Sequence, residues 1–92
     1  MLTALLAEFV GTFVFIFVIF TTLNPLYIGL TLGTLVAIFS KVSGGNFNPA
    51  VSVAALYAGK LSKNLVVPYI ISQVSGGLLA IYVAKQMKVL HR

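Results

Sequence analysis

Ninety-two residues make room for one small domain, but 60% of them are hydrophobic and 8% charged, more apolar surface than a soluble chain this short could hide in a single core. The absence of cysteine excludes disulfides, thiol catalysis and thiolate metal sites. The net charge of +5 comes from bases that bracket apolar runs, which reads as membrane-edge side chains touching lipid rather than a nucleic-acid patch.

Leu2 to Leu23 is the first predicted span, long enough for a transmembrane helix and carrying one charge, Glu8. A cleaved signal peptide fits less well, since no base precedes the run and the apolar stretch exceeds a signal core. Thr21, Thr22, Asn24 and Pro25 form a short connection. Leu26 to about Ser40 is the second span, short for a full crossing and ended by Lys41. Gly29 and Gly33 within it have the small-residue spacing that lets membrane helices approach closely, a pattern also common by chance.

Ser43, Gly44 and Gly45 then break the helix, because paired glycines release the backbone into open conformations. Asn48 is a favoured N-cap and Pro49 suits the first helical position. The residues from Pro49 to Ala58 predict a helix of about ten residues, roughly 15 Å long, with Gly59 as its natural stop. Such a helix reaches only halfway through a bilayer core of about 30 Å. The residues alone leave two readings open. One is an ordinary turn and surface helix. The other is a loop dipping into the membrane and returning as a half-helix, over 43–58. Backbone at that depth must be buried in protein or line a watery cavity. Its carbonyls, an Asn amide and the positive helix end would make a polar track for small neutral solutes.

After a hinge of Gly59, Lys60, Ser62, Lys63 and Asn64 comes the third span, Leu65 to Ala84, with Pro68 near its start and Gln73 as its one strongly polar member. Gly76 and Gly77 suggest another close helix contact, and Ser75-Gly76-Gly77 echoes the central loop by coincidence, since no Asn-Pro-Ala follows. His91 lies in a charged tail and reads as a solvated side chain, not a ligand.

The run Ser43-Gly44-Gly45-Asn46-Phe47-Asn48-Pro49-Ala50-Val51-Ser52 resembles the first signature loop of the aquaporin and glycerol-facilitator family, the major intrinsic proteins. Ala7-Glu8-Phe9-Val10-Gly11-Thr12-Phe13, Gly59-Lys60-Leu61-Ser62 and Tyr69-Ile70-Ile71-Ser72-Gln73 are similar to other family segments, in the right order. The resemblance covers nearly the whole chain. Family members carry two such halves and two Asn-Pro-Ala loops; this sequence carries one.

The resemblance implies an all-α membrane protein with three transmembrane helices and one re-entrant half-helix. It implies that Asn48 donates to a passing solute, that Pro49 and Ala50 form the contact between abutting half-helices, and that the carbonyls of Gly44, Gly45 and Asn46 form an acceptor ladder. Asn46 departs from the usual His, with consequences for local water ordering. The family's constriction maps onto Ile28, Val36, Gly45 and Val51, and Val51 stands where the second loop of the family has an Arg. An apolar constriction suits a wider passage for glycerol-like solutes. Glu8, as an intramembrane acid, reads either as a proton relay or as a brace; the resemblance implies a brace for the loop. A brace that only accepts hydrogen bonds leads to the expectation that Glu8→Gln retains much of the function. Gln73 reads as a bracing amide too.

The resulting expectation is an integral membrane protein, not an enzyme, with neither cofactor nor metal. It would conduct water or small neutral solutes such as glycerol by pairing two half-channels. Its partners are the lipid bilayer and the solute. The second half would come from a homo-oligomer, with an antiparallel dimer as the pore unit, or from a missing second half. The alternatives are a non-conducting truncated fragment, or a small membrane protein associating with full-length channels. Three spans put Lys41, Lys60 and Lys63 on one side and Lys85, Lys88 and Arg92 on the other. That balance removes the bias that orients membrane proteins, as insertion both ways round requires.

Overall fold

The computed structural model describes residues 1–91; Arg92, one of the bases expected at the membrane edge, lies outside the described residues. These residues form α1 (Leu2–Thr22), α2 (Pro25–Ser43), α3 (Pro49–Tyr57) and α4 (Lys63–Gln86). At 1.5 Å per residue, α1, α2 and α4 are about 32, 28 and 36 Å long, while α3 is about 14 Å. The three long helices are each apolar enough to cross a membrane. The fold is all-α: three spans and one half-length helix.

Asn-Pro starts two of these helices by the same device. The Asn24 side chain accepts from the N–H groups of Leu26 and Tyr27 at 2.9 and 3.1 Å, with Pro25 supplying the first helical residue. Asn48 accepts from Ala50 N–H at 2.8 Å, with Pro49 in the same place. In each case a side chain satisfies N–H groups that the first turn leaves without intrahelical partners. Helix α3 stops in a Schellman turn, where Lys60 N–H reaches Ala55 C=O and Gly59 N–H reaches Leu56 C=O. Gly59 takes the positive φ of 75° that this turn needs.

Helix α2 runs three residues beyond Ser40, through Lys41, Val42 and Ser43, and so is long enough to cross. Gly44, at φ 90°, stops it by donating its N–H to Ser40 C=O. Helix α4 starts at Lys63, ahead of the expected Leu65, which places Pro68 in its second turn.

The helices meet along narrow seams. Helix α1 buries Ala7, Glu8, Gly11 and Thr12, and α4 buries Tyr69, Gln73, Gly76, Ala80 and Ala84, both at helical spacing. At Gly76 the two backbones nearly touch: a Cβ there would lie 2.4 Å from the Phe9 carbonyl oxygen. Gly29 and Gly33 contrast with this, since no atom lies within 4 Å of where their Cβ would stand. The close approach that such spacing allows is therefore not made among the described residues, and α2 turns that face outward. Leu30, Ile38, Ile71 and Leu78 are each 60% exposed or more, which suits lipid contact. Past α4 the chain turns back, and His91 N–H caps the end of α1 at Phe20 C=O, 2.9 Å away.

Candidate pore loop

The loop between α2 and α3 is built around Glu8. This side chain is fully buried about 9 Å into α1, and in a dry interior a carboxylate needs hydrogen bonds on every side. Four donors converge on it. Oε2 accepts from Ser43 Oγ at 2.6 Å and Asn46 N–H at 3.1 Å. Oε1 accepts from Phe47 N–H at 2.8 Å and Gln73 Nε2 at 2.8 Å. Gln73 approaches from about 15 Å into α4, so the loop is held through Glu8 by both α1 and α4.

Four donors change the expectation for Glu8→Gln. An amide can accept at one oxygen only, and its NH2 group would face at least one N–H that now meets a carboxylate oxygen. The conservative exchange therefore removes a bond that no rotation restores.

Two further contacts lock the ends of the loop. Tyr69 donates its hydroxyl to Ser43 C=O at 2.7 Å. Phe47, 2% exposed, is driven into α1 beside Gly11, where any Cβ would collide with its ring, and its ring meets Phe39 edge-on at 6.1 Å. Phe47 holds φ 56°, a left-handed conformation costing about 1–2 kcal/mol for a residue with a Cβ. Burial of its ring, about 1.5–3 kcal/mol, offsets that. Phe47, Ser52, Tyr69 and Gly11 carry the loop geometry, although the sequence marked them only as members of the motif segments and gave them no role of their own. The signal available was Gly11 lying one turn beyond Glu8 in the same motif.

These contacts sort the loop's polar groups. The N–H groups of Gly44, Gly45, Asn46 and Phe47 are spent, in order, on Ser40 C=O, Ser43 Oγ and the two Glu8 oxygens. Among the described residues no donor meets the carbonyls of Gly44, Gly45 or Asn46. The loop thus turns its donors inward and leaves acceptors over. At its end Asn48 is exposed, with Oδ1 engaged by the helix cap and Nδ2 without an acceptor among the described residues. Pro49 is half-buried and Ala50 exposed in the first turn of α3.

The mapped constriction residues are spread more widely. Gly45 packs on α2, where a Cβ would stand 3.3 Å from Val36 Cα. Val51 is 44% exposed in the first turn of α3. Ile28 lies eight residues before Val36, about 12 Å away along the axis.

A groove of about 470 Å³ opens beside Asn48 and Pro49, between α1 and α4, walled by apolar residues such as Ile16, Ile19, Val74 and Leu78. Two of its lining residues, Thr12 and Gln73, hold buried oxygens (Oγ1 and Oε1) that have no partner among the described residues.

Comparison with known proteins agrees with this architecture. Residues 21–91 match the family model described as "Major intrinsic protein". The chain is 41% identical to Aquaporin Z of Photorhabdus laumondii over an alignment covering 87% of this chain and 41% of that protein. It is 49% identical to Aquaporin-8 of Notomys alexis over 62% of this chain and 22% of that one. With Glycerol uptake facilitator protein-like 6 of Lactiplantibacillus plantarum the identity is 37%, covering 82% and 39% respectively. The chain spans about two-fifths of the length of the bacterial relatives it matches. On a family match that covers most of its residues, the chain is an integral membrane protein belonging to the major intrinsic protein family.

Proposed function

We propose that this chain is half of a passive channel for water and small neutral solutes such as glycerol, and that a second half completes the pore. The observation that carries the reading is the sorting of the loop: every N–H from Gly44 to Phe47 is spent within the fold, those of Asn46 and Phe47 on buried Glu8, while the carbonyls of Gly44, Gly45 and Asn46 are left without donors among the described residues. A hydroxylic solute donates to those carbonyls and accepts from Asn48 Nδ2 at the end of the track. Behind Asn48 stands the N-terminus of α3, whose positive dipole end disfavours cations. This electrostatic barrier is already described for aquaporin-type pores. Where a second copy supplies the other half, Val51 stands in place of the second loop's Arg and the constriction is apolar, which suits glycerol-like solutes as well as water.

Helix α3 covers about 14 Å of a core about 30 Å thick, so the other half of the track must be supplied. We read the supplier as a second copy, inverted. The equal numbers of Lys and Arg on the two sides of the spans suit such dual insertion, and inverted pairing around a midplane site is how many transporters build a pore within one chain. The groove beside Asn48 and Pro49 is where the second half can pack, and its unpaired Thr12 and Gln73 oxygens are polar groups that lipid cannot serve.

The test is stopped-flow swelling of liposomes holding the purified chain alone, with water and with glycerol. Flux above that of empty vesicles, and its loss in Asn48→Ala, supports the reading. An inserted, helical chain with no such flux overturns the second copy as supplier of the other half. A chain that conducts nothing alone but changes the flux of a full-length channel reconstituted with it, relative to that channel by itself, puts the accessory role in its place.

A further inference from the structure

Asn46 is held at both ends by one closed ring of hydrogen bonds. Its side-chain Nδ2 donates to Ser52 Oγ at 3.0 Å. Ser52, in the first turn of α3 and fully buried, also accepts from Gln73 Nε2 at 2.8 Å. The same Gln73 nitrogen donates to Glu8 Oε1 at 2.8 Å, and Glu8 Oε2 accepts the Asn46 backbone N–H at 3.1 Å. The carboxylate can only accept, so it fixes which end of the Gln73 amide faces it, and the ring runs from there to Ser52 and Asn46. With Nδ2 tied to Ser52, the free end of the Asn46 side chain is its carbonyl oxygen. Asn46 Oδ1 has no partner among the described residues and lies beside Gly44, 3.4 Å from where a Cβ on that glycine would stand. Two of the unpaired backbone carbonyls belong to Gly44 and to Asn46 itself.

We propose that Asn46 sets solute preference, because the ring through Ser52, Gln73 and Glu8 holds its side-chain oxygen as a fourth acceptor on the carbonyl track. The inference rests on the channel reading and deepens it by naming the favoured solute class. A polyol carries several hydroxyl donors covalently linked on one short backbone and must place more than one at a time. A track with four fixed acceptors serves it better than a track with three. Water moves as separate molecules that reorient at each step, so it gains less from the extra acceptor. Asn46 touches the solute; Ser52 is a positioning residue that acts through it.

Glycerol and water permeabilities of the chain and of Asn46→Ala, Ser52→Ala and Ser52→Thr test this, each divided by the amount of folded, inserted protein. The ratio of glycerol to water permeability is the readout, because a purely structural role lowers the folded amount and leaves the ratio unchanged. Asn46→Ala and Ser52→Ala are expected to lower the ratio about fivefold, equivalent to about 1 kcal/mol and the size of one neutral hydrogen bond. Ser52→Thr keeps the hydroxyl and is expected to keep the ratio. Asn46→Ala changes a half-buried loop side chain, loses only its own bond to Ser52 and leaves the Gln73–Glu8, Gln73–Ser52 and Asn46 N–H–Glu8 bonds in place, so it reads the proposal even where Ser52→Ala folds poorly. A ratio unchanged in Asn46→Ala, with the parent chain conducting both solutes, overturns the proposal and leaves the channel standing. A parent chain that conducts neither solute overturns the proposal and, with it, the self-paired channel.

Discussion

Replacing Glu8 with Gln tests the loop more sharply than any larger change, because it preserves volume and removes one acceptor. The carboxylate accepts from Ser43 Oγ and Asn46 N–H on one oxygen, and from Phe47 N–H and Gln73 Nε2 on the other. In Glu8→Gln the NH2 group fits best in the place of Oε2. The Ser43 hydroxyl can rotate and accept from it, but the Asn46 N–H cannot change direction. One partly buried N–H is left facing another donor. That costs about 1–3 kcal/mol, and the lower half of the range applies because the Asn46 bond is only part-buried. With NH2 in the place of Oε1, Gln73 can turn its amide oxygen to accept from it, but the buried Phe47 N–H is stranded, which is worse. Glu8→Ala strands all four donors and leaves a cavity, so it should fall below Glu8→Gln by several kcal/mol. Unfolding in mixed micelles of increasing SDS content, followed by helicity, measures the order. Flux per folded copy measures whether the carbonyl track survives. A Glu8→Gln chain as stable as the parent, with the same flux, would refute the claim that four donors depend on this carboxylate.

Three other outcomes follow from contacts described above. Gly76→Ala places a methyl group against the Phe9 backbone, so it should force α1 and α4 apart and cost about 1–3 kcal/mol in the same titration. Gly29→Ala and Gly33→Ala, at positions open on the α2 face, should leave a single copy unharmed or slightly stabilised, by up to about 1 kcal/mol from helix propensity; a large loss would show that another helix packs there. Tyr69→Phe removes the donor to Ser43 C=O and should cost about 1–3 kcal/mol, with faster hydrogen exchange at Gly44 and Gly45 as the local signature.

The parts of the fold that were legible in the sequence are those that depend on the chain's own local stretch: the three spans on long apolar runs, the helix ends on one or two adjacent residues. Asn48 and Pro49 mark a helix start through local capping geometry, and the structure has that bond. Gly44 stops α2 because an αL residue is needed there, though the stop falls past Ser43 rather than at Ser40. The illegible parts depend on what comes from the far side of the bundle. Gly29-x-x-x-Gly33 and Gly76-Gly77 look equally suited to close packing, yet only Gly76 meets another backbone. Phe47 gives no local hint of a positive φ, which residues with a Cβ avoid. It adopts one because its ring is captured beside Gly11 and its N–H by Glu8. Ser52 reads as one more small residue in α3 until Asn46 and Gln73 are seen to meet on it.

The same bonds that make the loop stable also decide what it can do. A peptide unit offers one donor and one acceptor, and a fold that buries an acceptor-only group consumes donors selectively. Glu8 is the chain's single acid, and placed at depth it draws N–H groups toward the bundle from the consecutive residues Asn46 and Phe47. Their peptide planes turn as units, so drawing an N–H inward directs the carbonyl of the preceding residue away from the carboxylate. For Asn46 and Phe47 those preceding carbonyls belong to Gly45 and Asn46, two of the three left without donors. On the proposed channel reading, Glu8 thereby gives the track its acceptor character without touching the solute. A lysine or arginine at the same place would draw carbonyls inward and leave N–H groups over, a track suited to anions. The identity of this one buried side chain therefore links the stability of the loop to the charge preference of the path beside it.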